Sequence, residues 1–210
     1  MKLKPVLAGL CAWLALTSHV SAQESDAALE AEAAASMREM ADMGYSAEYG
    51  RSPNWYLADH RKLAASIAAL APQRPGVVDA YVVAIGLDSD GVFGREAAEA
   101  SRVLARRYDA AGRAILLAAG PNAEQATAAN GSPQNLATAI SAVAATMDVK
   151  EDVLILFTTS HGDADSGLAY RDDEFGNGMI GPGRLRAMLD GSGIERRMVI
   201  ISACYSGIFV

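Results

Sequence analysis

The chain has 210 residues, of which 51% are hydrophobic, and this is enough for one main domain with a full core. Its formal net charge is −7 at pH 7, and such an acidic chain disfavours nucleic acid as a partner. The apolar fraction also excludes a chain that is disordered throughout.

The N-terminus has the pattern of an export signal. Lys2 and Lys4 precede an apolar run at residues 6–16, and small residues at 20–22 suit a signal peptidase. The run is shorter than the roughly 20 residues that a membrane span needs. The sequence therefore predicts a cleaved signal peptide over residues 1–22, no stable membrane span afterwards, and an exported protein, periplasmic or secreted.

Removal of this segment has two consequences for the mature chain. It takes away two lysines and no acids, so the net charge becomes −9. It also leaves Cys204 as the single cysteine, which excludes an intramolecular disulfide. A lone thiol is either a small buried hydrophobic residue or a nucleophile.

Residues 23–75 read as an N-terminal helical extension. Strong helix formers predict a helix over residues 24–43 and an amphipathic helix over 55–70. The first helix carries an apolar stripe for packing on the main domain or on a partner: Leu29, Ala33, Met37 and Met40. His60 has no cysteine or histidine at metal-ligand spacing, so it is a surface or packed residue. The role of the extension stays open between a pro-segment, a dimer arm and a plain extension.

Proline- and glycine-rich residues 72–76 mark a domain boundary, after which strands alternate with helices. Ser132 and Pro133 have the residue types of a helix cap and first helical position, and residues 162–181 have room for a hairpin. Asp88 and Asp90 indicate a turn rather than a calcium loop, since later ligands are missing. The predicted strands are 77–86, 113–118, 151–159 and 198–203, and the predicted helices are 94–110, 134–147 and 182–189. This alternation predicts an α/β fold with a mainly parallel sheet flanked by helices.

Two apolar runs, 153–159 and 198–203, have the pattern of strands buried on both faces, and each leads to a reactive residue. His161 follows the first run and Cys204 the second, so both are expected at the ligand-binding edge of the sheet. A histidine beside a cysteine suits a thiolate nucleophile and its base. The N–H groups of Gly162 and of Cys204 are candidates for an oxyanion hole. Two residues are too few for a zinc site, so neither a metal nor a cofactor is predicted.

The segments 160–162 (Ser-His-Gly) and 202–207 (Ser-Ala-Cys-Tyr-Ser-Gly) resemble the legumain family of cysteine peptidases, in the caspase-like clan. The likeness covers about residues 77–210. It implies a caspase-like three-layer sandwich over residues 76–210. It also implies cleavage of a peptide or protein substrate by a dyad of Cys204 and His161, with Gly162 in the oxyanion hole.

Two departures from the family bear on specificity and completeness. Legumains carry a Glu where this chain has Ser202, which leaves a preference for cleavage after Asn or Asp open. Arg95 lies near the family's basic pocket residue, so Arg95 and Ser202 are tentative substrate-binding residues, with an exposed helix residue as the alternative for Arg95. Family members continue with further strands, whereas six residues follow Cys204 here, so we expect a truncated sheet edge.

Two other functions remain open at this point. One is a transamidase of the same family, in which an amine replaces water. The other is an inactive caspase-like domain that binds a protein through its N-terminal helices. The sequence makes no prediction of the oligomeric state.

Overall fold

A computed structural model of the chain describes the backbone of residues 10–121 and 127–210, and the side chains from residue 26 onward. It divides into two compact units, Met1–Met37 and Arg38–Val210. Helix α1 (Leu10–Met43) includes the helix predicted over residues 24–43. Residues 1–9 of the predicted signal peptide lie outside the described residues. No helix among the residues that could be searched is long and apolar enough to cross a membrane.

The second unit contains the alternation of strands and helices that the sequence predicts. The elements that follow α1 are β1 (Ser46–Glu48), α2 (Pro53–Ala68), β2 (Ala80–Gly86), α3 (Gly91–Arg107), β3 (Ala114–Ala118), α4 (Pro133–Thr146), β4 (Val153–Thr159), β5 (Gly162–Asp163), β6 (Gly167–Asp172), β7 (Gly176–Ile180), α5 (Pro182–Gly191), β8 (Arg196–Ser202) and the 3-10 helix η1 (Ser206–Phe209). The predicted cap is confirmed, since the Ser132 hydroxyl accepts a hydrogen bond from Asn135 N at 3.2 Å.

A parallel sheet with strand order β3-β2-β4-β8 forms the centre of this unit. Alternate residues of each strand face opposite layers, as strand geometry requires. On one face Val83 and Leu156 pack in a core with α2, α4 and α5. On the other face Val82 and Ile155 pack with residues of α3 such as Leu104. The protein is therefore α/β, with helices on both faces of a parallel sheet, an arrangement compatible with a three-layer sandwich.

The last strand differs from its prediction as a strand covered on both faces. Within the described residues β8 pairs with β4 alone and is an edge strand. Met198 is 41% exposed, and Val199, Ile200 and Ile201 are only partly buried. The doubly buried prediction is wrong for β8 because, among the described residues, a neighbouring strand lies on one side of it only, which leaves its apolar residues partly open to solvent.

A second, antiparallel sheet has the strand order β1-β7-β6-β5. Three of its strands, β5, β6 and β7, follow β4 directly in the chain. Strands β6 and β7 form the hairpin that the sequence predicts between His161 and Pro182. Its turn passes through Asp173, whose φ of 48° is a left-handed conformation that aspartate tolerates. The hairpin positions the residues that follow β4.

The segment from Arg38 to Pro75 belongs to the same compact unit as the sheet, so the predicted boundary at 72–76 lies inside this unit. Leu63 of α2 is 5% exposed in the core. Asp59 accepts hydrogen bonds from Asn130 N at 2.6 Å and from Asn135 Nδ2 at 2.8 Å. These contacts attach α2 to the start of α4.

The end of α1 also contacts this unit, but through residues other than the predicted stripe. Met40, the one stripe residue in this unit, is 40% exposed, whereas Ala41 is buried. The Ala41 carbonyl accepts from Gly181 N at 3.2 Å, and Asp42 Oδ1 accepts from Gly183 N at 2.8 Å. Small residues let the backbones approach closely here, which a methionine would prevent.

Candidate active site

The histidine and the cysteine leave the same edge of the sheet on adjacent strands. Thr159 of β4 lies directly beside Ser202 of β8 in the parallel register, and His161 and Cys204 each follow two residues later. Ser160 N donates to the Ser202 carbonyl at 3.3 Å, which extends the pairing beyond the strands. Parallel strands that end in register bring their following residues together, as the sequence predicts.

Gly162 packs directly against the backbone of Cys204. A Cβ atom placed on Gly162 would overlap the Cys204 carbonyl oxygen and lie 3.0 Å from its carbonyl carbon. Because the obstacle is backbone rather than a flexible side chain, only glycine fits at this position. The two predicted oxyanion residues are therefore in contact.

The hairpin fixes the backbone of the histidine. Ala169 N of β6 donates to the His161 carbonyl at 3.0 Å. The Ser160 hydroxyl donates to the Ala169 carbonyl at 2.6 Å, and Ser160 is buried. Both bonds connect the chain after β4 to β6, so His161 stands on a rigid support at the sheet edge.

Both reactive side chains are open to solvent. Cys204 is a free, exposed thiol, so the interpretation of the lone cysteine as a small buried hydrophobic residue is wrong, and its role as a nucleophile stays a prediction. His161 is also exposed. Among the described residues, neither its ring nitrogens nor Cys204 Sγ makes a hydrogen bond or ion pair. Catalytic hydrogen bonds are often long or unformed until a substrate binds, so the absence of such a bond among the described residues is compatible with the predicted pair.

The chain turns sharply after the cysteine. Tyr205 has φ 54° and ψ 20°, a left-handed conformation that is uncommon for a residue with a side chain. Helix η1 then begins at Ser206. This strand, turn and helix place Cys204 at the tip of the turn, and such strained backbone positions cluster at functional sites.

The two residues predicted to bind substrate, Arg95 and Ser202, share no hydrogen bond or ion pair within the described residues. Arg95 is exposed near the start of α3, and its Nη1 atom lies against Gly91, 3.2 Å from where a Cβ on that glycine would stand. Ser202 is partly buried at the end of β8. In the described part of the chain, no hydrogen bond or ion pair links Arg95 to Ser202.

Two residues of α3 approach the strand ends without having been predicted. The Glu96 carboxylate accepts a hydrogen bond from the hydroxyl of Thr159, the residue beside Ser202. The ring of Phe93 stands against the ring of His161. Nothing in the spacing of these residues indicates such contacts, although a helix that follows a parallel strand must begin at this edge.

Asp163, the acid nearest to His161 in the chain, is held within its own turn. Its Oδ1 atom accepts from Asp165 N at 3.0 Å, and from the Ser166 hydroxyl at 2.7 Å and the Ser166 N–H at 2.9 Å. These bonds, above all that from the Ser166 hydroxyl, lower the pKa of the Asp163 carboxyl from its ordinary value. Asp163 therefore caps the turn that connects β5 to β6.

The described residues include no cluster of three or more His, Cys, Asp or Glu side chains that could hold a metal ion. This edge of the sheet presents an exposed thiol and an exposed imidazole. No protein-family model matches this chain, and no curated protein matches it either.

Proposed function

We propose that the protein is an exported cysteine endopeptidase of the legumain type, with a caspase-like fold. Cys204 is the nucleophile and His161 its general base and acid. The observation that carries this proposal is the register of β4 and β8, which brings the residues before His161 and Cys204 side by side, together with the contact of Gly162 on Cys204.

The proposed reaction has two acyl-transfer steps. The thiolate of Cys204 attacks the carbonyl carbon of a peptide bond, and the imidazolium of His161 protonates the departing amine. Water, deprotonated by the imidazole, then hydrolyses the thioester and releases the thiol. Backbone N–H groups of Gly162 and Cys204 are proposed to stabilise the negative oxygen of each tetrahedral intermediate.

Substrate selection is proposed to involve Arg95, near the start of α3, and Ser202, at the end of β8. Arg95 is exposed and has no ion pair within the described residues, so its guanidinium is available to an acidic or amide side chain. Export follows from the predicted signal peptide over residues 1–22, and places the enzyme in the periplasm or outside the cell.

The rate of Cys204 alkylation by iodoacetamide, measured against pH, tests the dyad without knowledge of the substrate. We expect reaction well below the pH at which a free thiol, with a pKa of about 8.5, would react. His161→Ala should abolish this low-pH reaction. His60→Ala is the matched control, because His60 is also an exposed histidine but lies on α2.

Hydrolysis of a peptide library by the same variants tests the activity itself. Cys204→Ala should reduce cleavage to the background, and His161→Ala should reduce it by about 10²- to 10⁴-fold, the usual contribution of a general acid–base group. Cleavage that survives in Cys204→Ala, or an alkylation profile of a free thiol in the unaltered protein, would contradict the proposal.

A further inference from the structure

The imidazole of His161 has one aromatic neighbour in the described structure, the ring of Phe93. The two ring centroids are 5.0 Å apart and the ring planes meet at 78°, which is an edge-to-face pair. Aromatic rings favour this arrangement because the positive edge of one meets the negative face of the other. The contact therefore favours one orientation of the imidazole over others.

Phe93 is held firmly at this place by the fold. It lies in the first turn of α3, and its N–H donates to the Asp90 carbonyl at 3.0 Å. The Phe93 carbonyl packs closely against Gly86 at the end of β2. A Cβ atom on Gly86 would lie 2.8 Å from the Phe93 carbonyl oxygen. Gly86 in turn pairs with Thr159 of β4, two residues before His161. The start of α3 is thus fixed directly against the strand that delivers the histidine.

The backbone of His161 is fixed by the hairpin, but its side chain is exposed and has no hydrogen bond within the described residues. An exposed side chain with no partner would exchange among rotamers. The Phe93 ring is a contact that opposes this exchange. Catalytic groups need such support to be held in a productive geometry.

We infer that Phe93 is a positioning residue, whose ring holds the His161 imidazole in the orientation that serves Cys204. This role rests on the proposed function, since it acts through the histidine of the dyad. Phe93 has no part of its own in the bond-making and bond-breaking steps of the proposed reaction.

The test compares three variants of the full chain. Phe93→Leu keeps an apolar side chain and removes the aromatic face, whereas Phe93→Tyr keeps the ring. Val92→Ala is the control on the same turn, because Val92 is exposed by 42% and has no proposed role.

The first readout is the rate of Cys204 alkylation from pH 5 to pH 10. Phe93→Leu should lower the histidine-dependent rate near pH 6–7 by about fivefold, which corresponds to about 1 kcal/mol at 1.4 kcal/mol per tenfold. The rate above about pH 9.5 should not change, since the thiolate then forms without help. Phe93→Tyr and Val92→Ala should follow the unaltered protein. A Phe93→Leu profile that superimposes on the unaltered one, or that falls equally at every pH, would overturn the inference.

The second readout is the NMR signal of the His161 ring, assigned by its loss in His161→Ala. Phe93→Leu should remove the ring-current shift from this signal and leave the His60 signal in place. An unchanged His161 signal would overturn the inference. If the unaltered protein shows no histidine-dependent alkylation, the proposed function fails, and a displaced His161 signal still supports Phe93 as the residue that holds the ring.

Discussion

Strands β4 and β8 each contain an apolar run and lead to the two reactive residues, but they have different surroundings. Every residue of β4 lies between β2 and β8, and Leu154, Ile155 and Leu156 are fully buried. Strand β8 has β4 on one side only, and its residues range from exposed to half-buried. The imidazole thus stands at the end of a rigid central strand, and the thiol at the end of an edge strand.

The difference shows what an apolar run means physically. A run of Val, Ile and Leu indicates that a strand can be buried on both faces by other layers of the fold. Its own residues do not provide the covering layers, which come from other elements of the fold. In β8 the apolar residues pack against β4, α5 and η1 but leave a cavity of about 700 Å³ beside the strand, whose lining includes Val199, Ile201 and Phe209.

Truncation of one isoleucine side chain in each strand should give the largest difference in the free energy of unfolding. Ile155 of β4 and Ile200 of β8 face the same layer, but Ile155 is fully buried and Ile200 only partly. Ile155→Ala should lower the free energy of unfolding by about 4 kcal/mol, and Ile200→Ala by about 1.5 kcal/mol, because the partly exposed site leaves less of a cavity. Urea unfolding at pH 7 measures both values. Equal losses would show that β8 is as fully packed as β4.

A smaller effect is expected from the acid that joins β2 to β4. Asp79 is buried, its N–H donates to Asp152 Oδ1 at 2.8 Å, and its carbonyl accepts from Val153 N at 2.9 Å. Burial alone would raise the pKa of its carboxyl. Hydrogen bonds from the side chain and the N–H of Arg74, with the charge of Arg113, outweigh burial and hold the pKa below the ordinary value.

Because this pKa is lowered in the folded state, Asp79 stabilises the protein above the pKa of an unfolded Asp, about 3.9. This stabilisation is lost as the pH falls through the lower folded value. Asp79→Asn should cost about 2 kcal/mol at pH 7 and progressively less below pH 4. Thermal unfolding at several pH values measures this. Glu195→Gln, an exposed acid just before β8, is the control and should change little at any pH. A constant cost of Asp79→Asn down to pH 2 would contradict the assignment.

The smallest effect should come from the exposed beginning of β8. Met198 lies beside Ile155 in the register but is 41% exposed. Met198→Thr should change the free energy of unfolding by no more than about 0.5 kcal/mol, since threonine suits an exposed strand and little apolar surface is lost. If urea unfolding showed a loss of about 2 kcal/mol in the free energy of unfolding, Met198 would have to be covered in solution.

Features that depend on residues close together in the chain were the ones that the sequence predicted best. The cap at Ser132 and the hairpin around Gly167 to Ile180 depend on residues close together in the chain, and both are confirmed. That β4 and β8 are parallel and end at the same edge of the sheet also follows from the apolar runs and the connection lengths. The contacts of Phe93 and Glu96 with the strand ends depend on where α3 packs against the sheet. The spacing of residues along the chain does not predict that position.

The attachment of residues 38–75 limits where this chain can be trimmed. Strand β1 provides the partner of β7, and Leu63 fills part of the core beneath the parallel sheet. A shortened chain that began after residue 75 would lack one strand of the antiparallel sheet and one side chain of the core beneath the parallel sheet. A trimmed form that keeps both sheets intact must therefore retain β1 and α2.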